Sequence, residues 1–286
     1  MKSLIVNIDD VGLSGAINEA AKLCYKSGAI TGVSVMACGS RFKEAADMLK
    51  EAGKKEVGAH LTLTGKITPC AERSKVDSLL AQGGAFANSY KDLAHKYFSR
   101  KLKHDQVYIE LSSQVKKIRD AGLSVTHLDS HEHVHMLPMI LELTMKLAKE
   151  FDVPYVRLPL EPSGLMLKRF TTKDFVRRAS LALFTKGGKG RMEAEKIGHN
   201  DFFMGHFHAG RVDRDIFCHM LDSLREGVSE IALHPGVFSE SFVNEYPWYR
   251  NAEKELDLLM DDDWRKRLDE MGVRFLTHGE AVSSSR

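Results

Sequence analysis

The chain has only four cysteines, Cys24, Cys38, Cys70 and Cys218, and no two of them form a CxxC pair. That spacing argues against a cysteine metal site or a redox motif. A surplus of one charge is also missing, since 41 Lys and Arg stand against 39 Asp and Glu. So close a balance gives no electrostatic footing for nucleic acid or an anionic membrane. The run from Lys186 to Arg191 is a local basic exception and reads as a mobile, solvated loop. Long apolar runs are absent near the start, where residues 4–8 are too few for a signal-peptide core or a membrane span. A reduced, cytoplasmic protein is the default expectation. No internal repeat and no long Pro/Gly/Ser linker divides the chain, so residues 1–286 read as one domain.

What is present is a regular alternation of strand-like and helix-like segments. Residues 4–8, 30–37, 57–63, 125–129, 154–157, 202–207, 230–233 and 273–276 read as strands. Helices are expected over 14–28, with Ser14 as cap and Gly28 as stop, and over 41–52, 139–150, 216–225 and 253–271. Asp215 is a possible cap for the helix at 216. β-then-α order implies a parallel sheet, and about seven such units imply an α/β fold curled into a TIM-like barrel. The less periodic stretches near 67–105 and 160–200 read as insertions between barrel units, and the last four residues as a disordered tail.

The polar residues of interest gather at predicted strand ends, where a parallel barrel places its active site. Residues 126–135 hold four histidines and two acids within ten positions. Asp10, His60 and His131 together offer one carboxylate and two imidazoles, a set that holds a divalent metal with open positions. In an extended strand His127, Asp129, His131 and His133 would share one face, too many for one ion. His131 is the expected ligand, Asp129 the residue that orients one, and His133 and His135 packing or substrate residues. Asp9 and Asp10 can reach one site only where the strand breaks, and Val11-Gly12 offers such a break. Asp9 would then be a general base, and His234 a general acid for a leaving amine. Arg157 could orient Asp9, bind substrate or form a structural ion pair. Trp248, within Tyr246-Pro-Trp248-Tyr249, could stack on a sugar ring or simply pack.

Four segments carry a resemblance. Asn7-Ile-Asp9-Asp10-Val-Gly-Leu-Ser14, Val57-Gly-Ala-His60-Leu-Thr-Leu-Thr64, Thr126-His-Leu-Asp-Ser-His131-Glu-His-Val-His-Met-Leu-Pro138 and His234-Pro-Gly236 resemble the YdjC-like carbohydrate deacetylases, in the same order. The resemblance implies a deformed (β/α) barrel, often dimeric, distantly related to NodB-type polysaccharide deacetylases. It implies a divalent metal on Asp10, His60 and His131 and a base at Asp9; the ligand set leans toward Zn²⁺, and the resemblance allows Mg²⁺. Through the NodB relation, Arg157-x-Pro159 and Leu233-His234 resemble the arginine and late-histidine motifs. The chain departs from the family in Ile8 and Val11, where Ala and Phe are usual, and in Glu132, where Gln or His is common.

The resulting expectation is a metal-dependent hydrolase that removes an N-acetyl group from an amino sugar such as a chitooligosaccharide. Its partner is the acetylated sugar, with neither nucleic acid nor membrane involved, and the chain is a possible homodimer. Two rival readings use the same residues: a metal-dependent saccharide-binding protein without turnover, and a non-haem iron oxygenase.

Overall fold

A computed structural model describes residues 1–162 and 172–284. Eight parallel strands form one sheet: β1 (Lys2–Val11), β2 (Gly32–Val35), β3 (Glu56–Leu61), β4 (Ser124–Ser130), β5 (Tyr155–Val156), β6 (Phe202–Met204), β7 (Gly227–Leu233) and β8 (Arg274–Phe275). Seven of them run in the order β5-β4-β3-β2-β1-β7-β6. β8 pairs with Ser3 and Leu4, on the edge of β1 that β2 occupies further along. The sheet curls so that its ends approach each other. Val156 N–H donates to Gly198 O, and Phe203 N–H donates to Leu160 O, at 2.9 and 3.0 Å. The result is a deformed TIM-like barrel, as the alternation predicts.

Helices α1 (Gly15–Ser27), α2 (Phe42–Glu51), α3 (Tyr90–Phe98), α4 (His104–Asp120), α5 (Pro138–Glu150), α6 (Thr172–Ala194), α7 (Arg214–Asp222), α8 (Glu240–Glu245), α9 (Ala252–Met260), α10 (Asp263–Glu270) and α11 (His278–Ser284) complete the described chain. The α1 boundaries follow from its caps. Ser14 Oγ accepts Ile17 N–H at the start, and Gly28 ends the helix in the left-handed region. The inner strands read as apolar runs because both of their faces are covered; Leu4, Ile5, Val6 and Ile8 of β1 are all buried.

Several elements differ from the sequence expectation. The Lys186–Arg191 run is not a loop but the last part of α6. α6 passes close to Met136 and Leu141 at Gly188, where an added Cβ would lie 2.7 Å from Met136 Cε. α4 escapes periodicity because its buried face includes Gln106, Glu110, Ser112 and Gln114 beside its apolar residues. The single helix expected over 253–271 is two, divided at Asp261, whose side chain accepts Asp263 N–H. The cap of α7 is Asp213 rather than Asp215, because Asp213 Oδ1 accepts Ile216 N–H at 2.9 Å. α11 carries the chain to Ser284, into the expected disordered tail, of which residues 285–286 lie outside the described residues. Residues 163–171 of the second insertion also lie outside them. No helix among the described residues is long and apolar enough to cross a membrane.

Candidate active site

The two acids of β1 reach one site through a local break in the strand. Between Ile8 and Val11 the β1–β2 register slips, so three steps on β1 meet two on β2. Asp10 occupies the extra position at φ 63. Left-handed backbone is strained for most residues but tolerated by Asp, whose short polar side chain can bond locally. The break therefore lies at Asp10 itself, one residue before the expected Val11-Gly12. Both carboxylates now face the carboxyl end of the barrel.

Asp10 Oδ1 sits between two imidazoles. His60 Nε2 is 3.1 Å from it and His131 Nδ1 is 2.9 Å from it. The opposite oxygen, Oδ2, accepts the Tyr249 hydroxyl at 2.5 Å. Pairing of β3 with β4 sets His60 beside Asp129, and His60 Nδ1 lies 2.9 Å from Asp129 Oδ1. A proton on Nδ1, donated to Asp129, leaves the lone pair of Nε2 aimed at the Asp10 carboxylate. Two acceptors in that position repel unless a proton or a cation lies between them. Without a cation, burial disfavours charge on His60, but Asp129, Asp10 and Asp9 outweigh it and hold the imidazole well above its ordinary pKa. The donor atoms of Asp10, His60 and His131 all lie within 4.8 Å of one another. One carboxylate, two imidazoles and an orienting acid fit a divalent cation with positions left open.

Beside this trio lies a buried ionic network. Arg157, fully buried just after β5, donates Nη1 to Asp9 Oδ2 and Nη2 to Asp9 Oδ1, at 2.7 and 2.8 Å. Its Nη1 also lies 2.7 Å from Asp129 Oδ2, and its Nε donates to Glu230 Oε1 at 2.7 Å. Asp9 further accepts Asn7 Nδ2 at 2.8 Å. Burial opposes the Asp9 charge, but Arg157 and His60 override it and hold the carboxyl at about 2. His234 follows β7, with Nε2 4.0 Å from Asp9 Oδ2 and 3.9 Å from Asp10 Oδ2. Burial pushes its imidazole below the ordinary value, against the pull of the two acids. Its backbone N–H donates to buried Glu255 at 2.7 Å.

Asp9, Asp10, His60, His131 and His234 help to line a cavity of about 640 Å³, and Arg157, Asp129 and Glu230 lie buried behind them. Trp248 meets the His234 ring edge-on at 4.9 Å and lies 47% exposed at the cavity. The insertion elements supply other walls, among them Tyr90 and Phe98 of α3 and Phe184 of α6.

A family profile described as YdjC-like protein matches residues 3–270. The chain belongs to the YdjC-like family. Two proteins named carbohydrate deacetylase resemble this YdjC-like chain over nearly their whole length. The one from Thermoanaerobacter pseudethanolicus is 28% identical over 92% of each chain. That from Brevibacillus brevis is 27% identical over 97% of this chain and 98% of its own. A crystal structure from Enterococcus faecalis, described as a candidate cellobiose-phosphate cleavage protein, superposes with a TM-score of 0.78 at 22% identity, covering 98% of both chains. At that identity the likeness speaks for the fold.

The YdjC-like structure brings Asp9, Asp10, His60, His131, Asp129, Arg157 and His234 together. His133 does not share their face. The period of two holds for His127 and Asp129, which both meet Ser34 Oγ, at 3.1 and 2.7 Å, and it stops at Ser130. Residues His131–Met136 then form a tight turn, with Glu132 and His133 at positive φ. His133 points to Phe203 and His206 along the cavity. His135 is buried between Ser130 Oγ and Arg157 O, at 2.5 and 2.9 Å, a packing position. Sequence reasoning passes over Asn7, Ser34, Glu230 and Glu255. Asn7 could have been found two residues before Asp9 on the same strand face, and Glu230 as an acid inside an otherwise apolar strand.

Proposed function

We propose that the chain is a metal-dependent deacetylase that hydrolyses the N-acetyl group of an amino sugar or short chitooligosaccharide. The observation that carries this reading is the Asp10–His60–His131 trio set directly beside the Arg157-bound Asp9 and His234. The naming of its full-length relatives as carbohydrate deacetylases supports the same chemistry. Asp10, His60 and His131 would hold the ion, and Asp129 would keep His60 in the tautomer that presents Nε2. A divalent cation there supplies Lewis acidity toward a carbonyl oxygen and water.

The chain's own groups then divide the proton work. Asp9 is ionised at all physiological pH, so it is always free to accept a proton from the attacking water. Arg157 fixes both of its oxygens, which gives up basicity and gains a single orientation. His234 stands about 4 Å from both acids and carries a proton to the departing nitrogen. One water is consumed, the amide C–N bond breaks, and acetate and a free amine leave. Trp248 stacks on the sugar ring beside His234. Acetate release from N-acetylglucosamine oligomers of several lengths, with metals stripped and restored singly, tests the proposal. Metal-dependent acetate is the expected result; none with any metal or oligomer length would reject the substrate class.

A further inference from the structure

The fold joins two thiols that the sequence keeps apart. Cys38 follows β2 and Cys70 lies in the insertion after β3, yet their sulfur atoms are 2.9 Å apart. A disulfide spans about 2.05 Å, so closure asks for less than about 1 Å of side-chain movement. Both residues are partly rather than fully buried. Cys24, by contrast, is buried.

The pair is held in place by a buried carboxylate. Glu110 of α4 accepts Cys70 N–H through Oε1 at 3.0 Å and Ala71 N–H through Oε2 at 2.9 Å. Gln114 Nε2 donates to the same Oε1 at 2.8 Å, and Cys38 Sγ lies 3.4 Å from it. Glu110 thus fixes the Cys70 backbone and holds its side chain over Cys38. The Cys70 insertion also forms part of the cavity wall through Gly65, Ile67 and Asn88. Its two limbs are tied where Phe86 N–H donates to Ile67 O at 2.9 Å.

We propose that Cys38 and Cys70 form a reversible disulfide, made by a hydroperoxide and undone by a small thiol, that ties this cavity wall to the barrel. In the proposed sequence Cys70 takes the oxidant, and Cys38, whose thiol is pushed well above its usual range by burial, Cys70 and Glu110, resolves it. Its sulfur attacks the peroxide, whose O–O bond breaks, giving Cys70 sulfenic acid and one water. Cys38 sulfur then attacks Cys70 sulfur. The S–S bond forms and the S–O bond breaks, while Glu110 Oε1 receives the Cys38 proton and passes it to the leaving oxygen, released as a second water. Two thiols lose two electrons in total, and one peroxide gains them. Excess thiol restores both cysteines by exchange.

The test uses the full chain. Protein is treated with a small excess of hydrogen peroxide, free thiols are blocked, and the digest is mapped by mass spectrometry. The expected product joins the Cys38 and Cys70 peptides, is lighter by two hydrogens, and disappears with dithiothreitol. Closing a loop of about 33 residues should raise the melting temperature by roughly 5–10 °C. That rise should vanish in Cys38→Ser and Cys70→Ser and persist in Cys24→Ser and Cys218→Ser. Survival of both thiols after peroxide overturns the proposal, whether a soft cation guards them or they never meet. So does a cross-link to Cys24 or Cys218, or a Cys38–Cys70 link that leaves the melting temperature unmoved.

Discussion

Arg157 grips Asp9 with both terminal nitrogens, at 2.7 and 2.8 Å, in a pair that water scarcely reaches. The grip decides what Asp9 can do. A carboxyl held at about 2 never protonates in the working pH range, and its two oxygens cannot rotate. Replacing Asp9 by Asn keeps the shape but removes the charge that would take a proton. Turnover of an acetylated sugar should fall by roughly 10²–10⁴-fold. Metal content, measured on the purified variant, should stay that of the wild type. Near-normal turnover would remove Asp9 from the proposed chemistry.

Asp129 serves three partners at once, His60 Nδ1 at 2.9 Å, Arg157 Nη1 at 2.7 Å and the Ser34 hydroxyl at 2.7 Å. With Asn at 129, an amide N–H can face His60 Nδ1 and favour the tautomer that turns a proton toward Asp10. Metal affinity should drop by about 10–100-fold. Titration of stripped protein with Zn²⁺ and with Mg²⁺ reads this directly, and unchanged affinity would show that Asp129 does not orient His60.

Trp248 is half-exposed and leans edge-on against His234. If it stacks on the sugar, Trp248→Ala should raise KM by roughly 2- to 12-fold, the worth of one aromatic contact. The change in kcat should be smaller. A loss confined to kcat would instead mean that Trp248 acts by holding His234.

The parts that were legible in the sequence share a cause. Strands buried on both faces announce themselves as apolar runs, and Asp9-Asp10, His60, His131 and His234 stand out because polar residues are costly where such strands end. Pairings between distant segments carry no such mark. Nothing in the spacing of Cys38 and Cys70 shows that their sulfurs touch, and nothing around Tyr249 shows that its hydroxyl meets Asp10. A period of two extended past Ser130 groups His133 with Asp129, but the backbone turns left-handed there instead. α4 is hidden in the sequence for the opposite reason: its inward face carries Glu110 and Gln114, side chains that bond loops rather than fill a core.

Glu255 differs from Asp9 and Glu230, which Arg157 holds ionised, because among the described residues no cation is paired with it. Its Oε2 accepts the His234 N–H at 2.7 Å, but burial dominates and raises its carboxyl to about 7. The ordinary value is 4.5, so between about 4.5 and 7 the folded chain holds a proton that the unfolded chain has released. Stability from this group is therefore fully present below pH 4.5 and is lost as pH rises through 7. A shift of that size corresponds to about 3 kcal/mol. Glu255→Gln keeps an oxygen for the His234 N–H and cannot ionise. Chemical denaturation at pH 5.5 and pH 8 should show the wild type losing stability across the interval by up to a few kcal/mol more than the variant. Parallel losses in both proteins would mean that Glu255 is already ionised in the folded state, with His234 then facing a buried charge.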